Sequence, residues 1–189
     1  LEDWQAELLR IVRLLSQYFY PQRQTKMMNE GCATFVHYEI INRLYDRGLL
    51  TDGTMLEFLH SHSSVIYQPS FNDRRFGGFN PYALGFAMMC DIKRICLEPS
   101  DEDRAWFPDF AGCGDALGTL RQAWAEFRDE SFILQYLSPK LMRDFRLFGV
   151  SDDAKDAAMR VAAIHYEQGY KNIRRRLARR YDVAVQGPD

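Results

Sequence analysis

Glu30, Gly31 and His37 lie in the stretch MMNEGCATFVHYEI, residues 27–40, whose apolar spacing is that of a buried helix. At 100° per residue, Glu30, Thr34, His37 and Ile41 fall on one face. A carboxylate and an imidazole on one face are donors for a divalent metal such as zinc, or groups that move protons. With a rise of about 1.5 Å per residue, roughly 10.5 Å separates Glu30 from His37 along the axis. Both reach one ion only when fully extended, so one ligand with one supporting partner is the easier geometry. The alternative is a charge paired within the fold beside a satisfied core histidine. Gly31 costs about 1 kcal/mol against alanine in a helix interior. Its presence implies that another backbone or a ligand comes close.

A second pair of histidines stands in LHSH, residues 59–62. If both are helical, His60 and His62 point about 200° apart. If the helix stops at His60, an extended His-x-His places them on one side. In that case Glu30, His37, His60 and His62 form a candidate metal-ligand set; otherwise they line a site or serve no metal. His165 opens the last helix, where capping or pairing is its simplest role.

Arg74 and Arg75 sit in YQPSFNDRRFGGFNP, residues 67–81, a segment full of Pro, Gly, Asn and Asp. This composition predicts a long loop, and long ordered loops often carry function. The two arginines suit an anionic substrate such as a carboxylate or phosphate, or are simply solvated. RRRLARR, residues 174–180, is basic enough for nucleic acid or an acidic partner, but a solvated helix face fits better with a net charge of −2.

The elements that must position these residues are mostly helical. Leu8, Ile11, Val12, Leu15 and Phe19 make one stripe, with Pro21 expected to close the helix. A second helix spans about 25–47 and stops at Gly48. Thr51 caps a third, with Met55, Leu56 and Leu59 as its apolar face. Asn80 caps a fourth, with Pro81 at its first position and Pro99 beyond its end. Ser100 and Asp103 form a capping box. Helices near 115–128, 130–137 and 139–146 follow. RLFGVSDDAKDAAMRVAAIH, residues 146–165, reads as a β-hairpin of two short apolar runs about a polar turn. A last helix carries Tyr170, Ile173, Leu177 and Tyr181 on its apolar side. The expected fold is mainly α: one compact multi-helix domain over 1–189, with a small β-hairpin before the last helix.

Composition excludes several classes. Hydrophobic residues are 47% and charged residues 26% of 189, an ordinary globular balance. The near-neutral charge argues against a nucleic-acid-coating protein. No apolar run approaches the roughly 18 residues of a membrane span, and no signal peptide opens the chain. Cys32, Cys90, Cys96 and Cys113 include no Cys-x-x-Cys pair, so free thiols in a reducing compartment are expected, with a disulfide or metal use as the lesser alternative. The protein is expected to be cytoplasmic.

NEGCATFVHY resembles the N-E-G-x-A segment of gluzincin metallopeptidases, in which the glutamate is the third zinc ligand; Glu30 occupies that position. The H-E-x-x-H pair of that group is absent. A resemblance of wider extent is carried by SQYFYPQRQTKMMNEG, LEFLHSHSSVIYQP, GGFNPYALGFAM, DEDRAWFPDFAG, DESFILQYLSPKLMRDFRLF and AAIHYEQGY. These stretches, in this order, are similar to the stage V sporulation protein R (SpoVR) family. Members are longer, with a histidine pair in an H-x-x-x-x-G-H-like context upstream and a further segment downstream. The chain opens on Leu1 rather than methionine, so it is expected to be the central-to-C-terminal portion of such an architecture, with part of any site upstream. It departs from the family pattern at Cys32 and Val36, where tryptophan is common, and in AGCGDALGTL.

The resemblance implies a link to sporulation and spore cortex formation. Two functions then stand. One is a metal-dependent, zinc-peptidase-like hydrolase with a divalent metal, Glu30 as ligand and His37 as ligand or supporting group, acting on a peptide-like substrate. The other is a non-catalytic cytoplasmic regulator or scaffold that binds a partner protein. Convergence of the four polar residues favours the first; dispersal, with an exposed apolar patch, favours the second.

Overall fold

The computed structural model describes residues 1–71, 73–147 and 167–183. In chain order the helices are α1 (Asp3–Gln24), α2 (Lys26–Asp46), α3 (Asp52–Val65), α4 (Pro81–Leu97), α5 (Asp101–Trp106), α6 (Ala116–Glu126), α7 (Asp129–Tyr136), α8 (Pro139–Asp144) and α9 (Glu167–Arg179). The described residues contain no strand. The hairpin expected over 146–165 lies outside them, apart from Arg146 and Leu147, as does His165.

Local signals placed most boundaries. Thr51 and Asn80 cap α3 and α4 by accepting from Thr54 N–H and Tyr82 N–H. Ser100 and Asp103 make the reciprocal box at α5. Gly48, at φ +70°, ends α2: its N–H donates to the Tyr45 carbonyl while Leu49 N–H donates to the Leu44 carbonyl. This pair of bonds satisfies the last carbonyls of the helix. Pro21 does not close α1, which continues to Gln24. Near a helix end, proline forfeits one backbone bond without preventing the final turn.

α4 is the central element. Leu84, Met88, Met89, Ile92, Ile95 and Cys96 along it are buried in the core, where α4 packs against α2, α6 and α8. α2 and α4 run side by side in the same direction, with Glu30 beside Tyr82 near their starts and Glu39 paired with Lys93 (2.7 Å) further on. Their closest approach is at Gly31 and Gly85. A Cβ on Gly31 would stand 2.5 Å from the Gly85 carbonyl carbon, and one on Gly85 would stand 2.4 Å from the Met27 carbonyl oxygen. The partner that Gly31 admits is therefore a backbone.

Charged side chains fasten the ends. Asp129, at the start of α7, accepts from the Met27 and Met28 N–H groups at 2.8 and 2.9 Å, capping α2 across about a hundred residues of sequence. Arg94 grips Asp103 through two bonds, of 2.6 and 2.9 Å, and also bonds Asp91. Arg143 joins Glu102 to the Tyr170 hydroxyl, linking α5, α8 and α9.

On α9, Tyr170, Ile173 and Leu177 pack into the core as the spacing predicts, with Tyr181 partly buried. Arg174 turns inward from the basic run, donating to the Leu134 and Leu137 carbonyls at the end of α7 and lying over the Trp106 ring. Two expectations fail on burial. α3 buries Met55 and His62, while Leu56 and Leu59 are exposed. α1 buries nothing: Leu8, Ile11, Val12, Leu15 and Phe19 all face outward.

Candidate functional site: an aromatic-walled face on α2, α3 and α4

α3 is helical through both histidines, so His60 and His62 diverge. His60 is exposed, and its carbonyl accepts the Ser63 and Ser64 hydroxyls. His62 points inward and is 8% exposed. Its ring is enclosed by Phe86 at 4.8 Å and by Tyr38 and Phe58 at 5.3 Å each. His62 Nε2 is buried without a hydrogen-bond partner. Burial, and behind it the nearby His37, pushes its imidazole below the ordinary histidine range. His62 is thus neutral at neutral pH with one uncommitted nitrogen, the state required of a metal ligand or a general base.

His37 lies on the exposed edge of the same cluster, edge-on to Phe58 at 5.0 Å. Glu30 is half-buried about two turns upstream on α2. Between them the Thr34 hydroxyl bonds back to the Glu30 and Gly31 carbonyls, at 2.7 and 3.0 Å. The Tyr82 hydroxyl, at the start of α4, stands beside the Glu30 carboxylate, and this neighbour raises the tyrosine's pKa. Tyr82 and Phe86 are four residues apart on α4, a rise of about 6 Å. That helical step connects the Glu30 end of the face to the His62 end. The structure therefore brings His37 and His62 into one aromatic cluster, sets Glu30 about two turns upstream along α2, and leaves His60 outside the cluster.

The loop that carries Arg74 and Arg75 borders this face. Gln68 closes its base by accepting from Asn80 N–H and donating to the Gly78 carbonyl. Asn80 reaches back to the Val65 and Tyr67 carbonyls at the end of α3. Arg75 is committed to Asp73 and to the Tyr67 hydroxyl, and it draws the Asp73 carboxyl down to about 2. Arg74 is exposed.

Fit to a divalent metal is partial. Glu30 and a neutral His62 are donor types that zinc accepts. Among the described residues, however, no group of three or more His, Cys, Asp or Glu is placed to hold an ion. These residues alone do not make a closed zinc centre. Sequence reasoning missed Tyr82 and the ring of Tyr38, Phe58 and Phe86. Their signal was faint, because aromatics at helical spacing on three elements look like ordinary core. No helix among the described residues is long and apolar enough to cross a membrane.

Comparison with known proteins agrees with the motif order. The family description "SpoVR like protein" matches residues 1–186. The chain is 58% identical over 189 residues to "Uncharacterized protein YcgB" of Escherichia coli (strain K12), which covers all of this chain and 37% of the relative. The chain thus spans little more than a third of that relative's length. No solved structure matches. With nearly every residue inside the family match, on top of the ordered motifs quoted above, this chain belongs to the SpoVR family.

Proposed function

We propose that the Glu30–Tyr82–His62 face is this chain's contribution to a composite hydrolytic site holding a divalent cation, with its remaining donors outside the described residues. The observation that carries this reading is the buried, unpartnered Nε2 of His62. Buried polar atoms are nearly always satisfied, and an exception calls for a reason. A missing ligand supplies that reason, and burial in the aromatic wall favours the neutral ring. Glu30 would bind through its carboxylate, with the neighbouring Tyr82 hydroxyl placed to support it as second partners do for ligating carboxylates. A bound cation would lower the pKa of a water for attack on an amide or similar bond. His37, at the exposed edge, would exchange protons with solvent. Arg74 would attract an anionic group, while Arg75 orders the loop. A peptide-like or peptidoglycan-derived substrate follows only from the family's sporulation name.

The test is metal content in this chain and in a longer family polypeptide containing it, each prepared without chelator. Stoichiometric metal in the longer form that is lost in Glu30→Gln supports the reading. Equal metal in wild type and variant contradicts it.

A second reading rests on α1. Its apolar residues are uncovered, and among the described residues the helix packs on no other element to a significant extent. An uncovered stripe of Leu8, Ile11, Leu15 and Phe19 marks an interaction surface. In this reading the chain is a regulator or scaffold that docks another polypeptide segment through α1.

A further inference from the structure

We infer that Cys96 and Cys113 form a reversible intramolecular disulfide when the protein meets a hydroperoxide, making this corner an oxidative modification site. Cys96 ends α4, fully buried; Cys113 lies in the loop before α6, exposed. Two backbone bonds pin that loop to the end of α4: Gly112 N–H to the Ile95 carbonyl and Gly114 N–H to the Cys96 carbonyl, both 2.9 Å. They flank Cys113 and hold its backbone beside that of Cys96. Gly112 and Gly114 both take φ +76°, a conformation that favours glycine, so the tight loop path is built into the sequence. The two sulfurs meet at one hydroxyl: Thr119 Oγ1 lies 3.5 Å from Cys96 Sγ and 3.7 Å from Cys113 Sγ. The two thiols are close enough to shift each other's ionisation. A disulfide requires this kind of adjacency without backbone rearrangement.

The two thiols differ in the way such chemistry requires. Burial opposes ionisation of Cys113, but bonds from the Asp115 backbone N–H, Thr119 and Cys96 leave its thiol below the usual range. Burial pushes Cys96 up to about 11. The exposed, more acidic Cys113 therefore attacks first. With hydrogen peroxide, its thiolate forms an S–O bond as the peroxide O–O bond breaks, and the departing oxygen leaves as water after taking a proton. The Cys96 sulfur then attacks the sulfenic sulfur. The S–S bond forms, the S–O bond breaks, and the Cys96 proton leaves with hydroxide as a second water. Two thiols are oxidised and one hydroperoxide is reduced; a dithiol reverses the step. Cys32 and Cys90 are shielded from this reaction, because burial raises both thiols, Cys90 to about 12.

The test is thiol counting and peptide mapping of the intact chain after a small excess of hydrogen peroxide. We expect free thiols to fall from four to two, a single Cys96–Cys113 cross-link, and full recovery with dithiothreitol. Cys96→Ser should instead accumulate a sulfenic acid at Cys113 that dimedone traps. Cys113→Ser, an exposed change that leaves the core intact, should keep its three thiols. Four surviving thiols, a cross-link through Cys32 or Cys90, or cross-linking only between molecules would overturn the inference.

Discussion

Gly31 of α2 and Gly85 of α4 are in backbone contact, with no room for a Cβ on either. This crossing sets the depth at which α2 lies on α4, and hence the position of Glu30 against Tyr82. Alanine at either site should be disfavoured although it improves helix propensity by about 1 kcal/mol. Overpacking a fixed backbone contact costs about 1–3 kcal/mol or more, so Gly31→Ala should destabilise by roughly 2 kcal/mol net. Urea unfolding measures this. A stabilised variant would mean that the two helices do not meet as described.

His62→Phe tests the orphaned nitrogen from the opposite direction. Replacing a buried, unsatisfied polar ring with an apolar one is close to neutral or favourable. The variant should unfold no earlier than wild type while losing any ligand or activity of the face. A loss of several degrees in melting temperature would show that the imidazole has a structural partner. In wild type, burial should place the His62 titration, followed by NMR, below the ordinary histidine range. In that window the unfolded chain holds the proton that the folded chain lacks, so stability should fall as pH drops through it.

Asp129 and Asp103 should give opposite pH slopes. Burial raises Asp129 to about 6 from 3.8, against the pull of the Met27 and Met28 N–H groups. Between about pH 4 and 6 the folded chain therefore binds a proton that the unfolded chain has released, and this residue's stabilisation declines as pH rises. Asp103 is buried, which opposes ionisation, yet bonds from Arg94 and Ser100 bring it down to about 2. Its stabilisation is complete above about pH 4 and is lost as pH falls toward 2. Unfolding free energies from pH 2 to 7 should show the Asp129 slope vanish in Asp129→Asn and the Asp103 slope vanish in Asp103→Asn. Unchanged profiles would contradict both assignments.

Most of the helices were legible because their signals are local. Thr51, Asn80, Ser100 and Gly48 each act within a few residues, and the family resemblance rests on stretches read in order. Tertiary relationships were not legible in the same way. Gly31 announced a close approach without saying whether a ligand or a helix makes it, and Gly85 resolves the matter only in three dimensions. The capping of α2 by Asp129 spans too much sequence for any local pattern. The apolar side of α3 was misassigned because Leu56 and Leu59 outscore a histidine on hydropathy, yet the aromatic pocket takes His62. Glu30 and His37 were visible from spacing, whereas Tyr82 gave only a faint sign of its role.

Charges placed on the α1 stripe should separate the docking role from folding. Leu8→Lys with Leu15→Lys alters only exposed residues, so the unfolding midpoint of the core should shift little, within about 0.5 kcal/mol. Association of the chain with a polypeptide that covers α1, read by size-exclusion chromatography with light scattering, should be lost. Collapse of the core in this variant would show that α1 packs on it after all.

The most direct measurement is elemental analysis of a longer family polypeptide containing this chain, comparing wild type with Glu30→Gln and His62→Phe. The composite-site account predicts close to one divalent metal per molecule in wild type and a loss of at least about tenfold in metal affinity in each variant. Absence of metal from the wild type, or equal occupancy in all three proteins, would contradict it and leave the α1 surface as the functional feature of the chain.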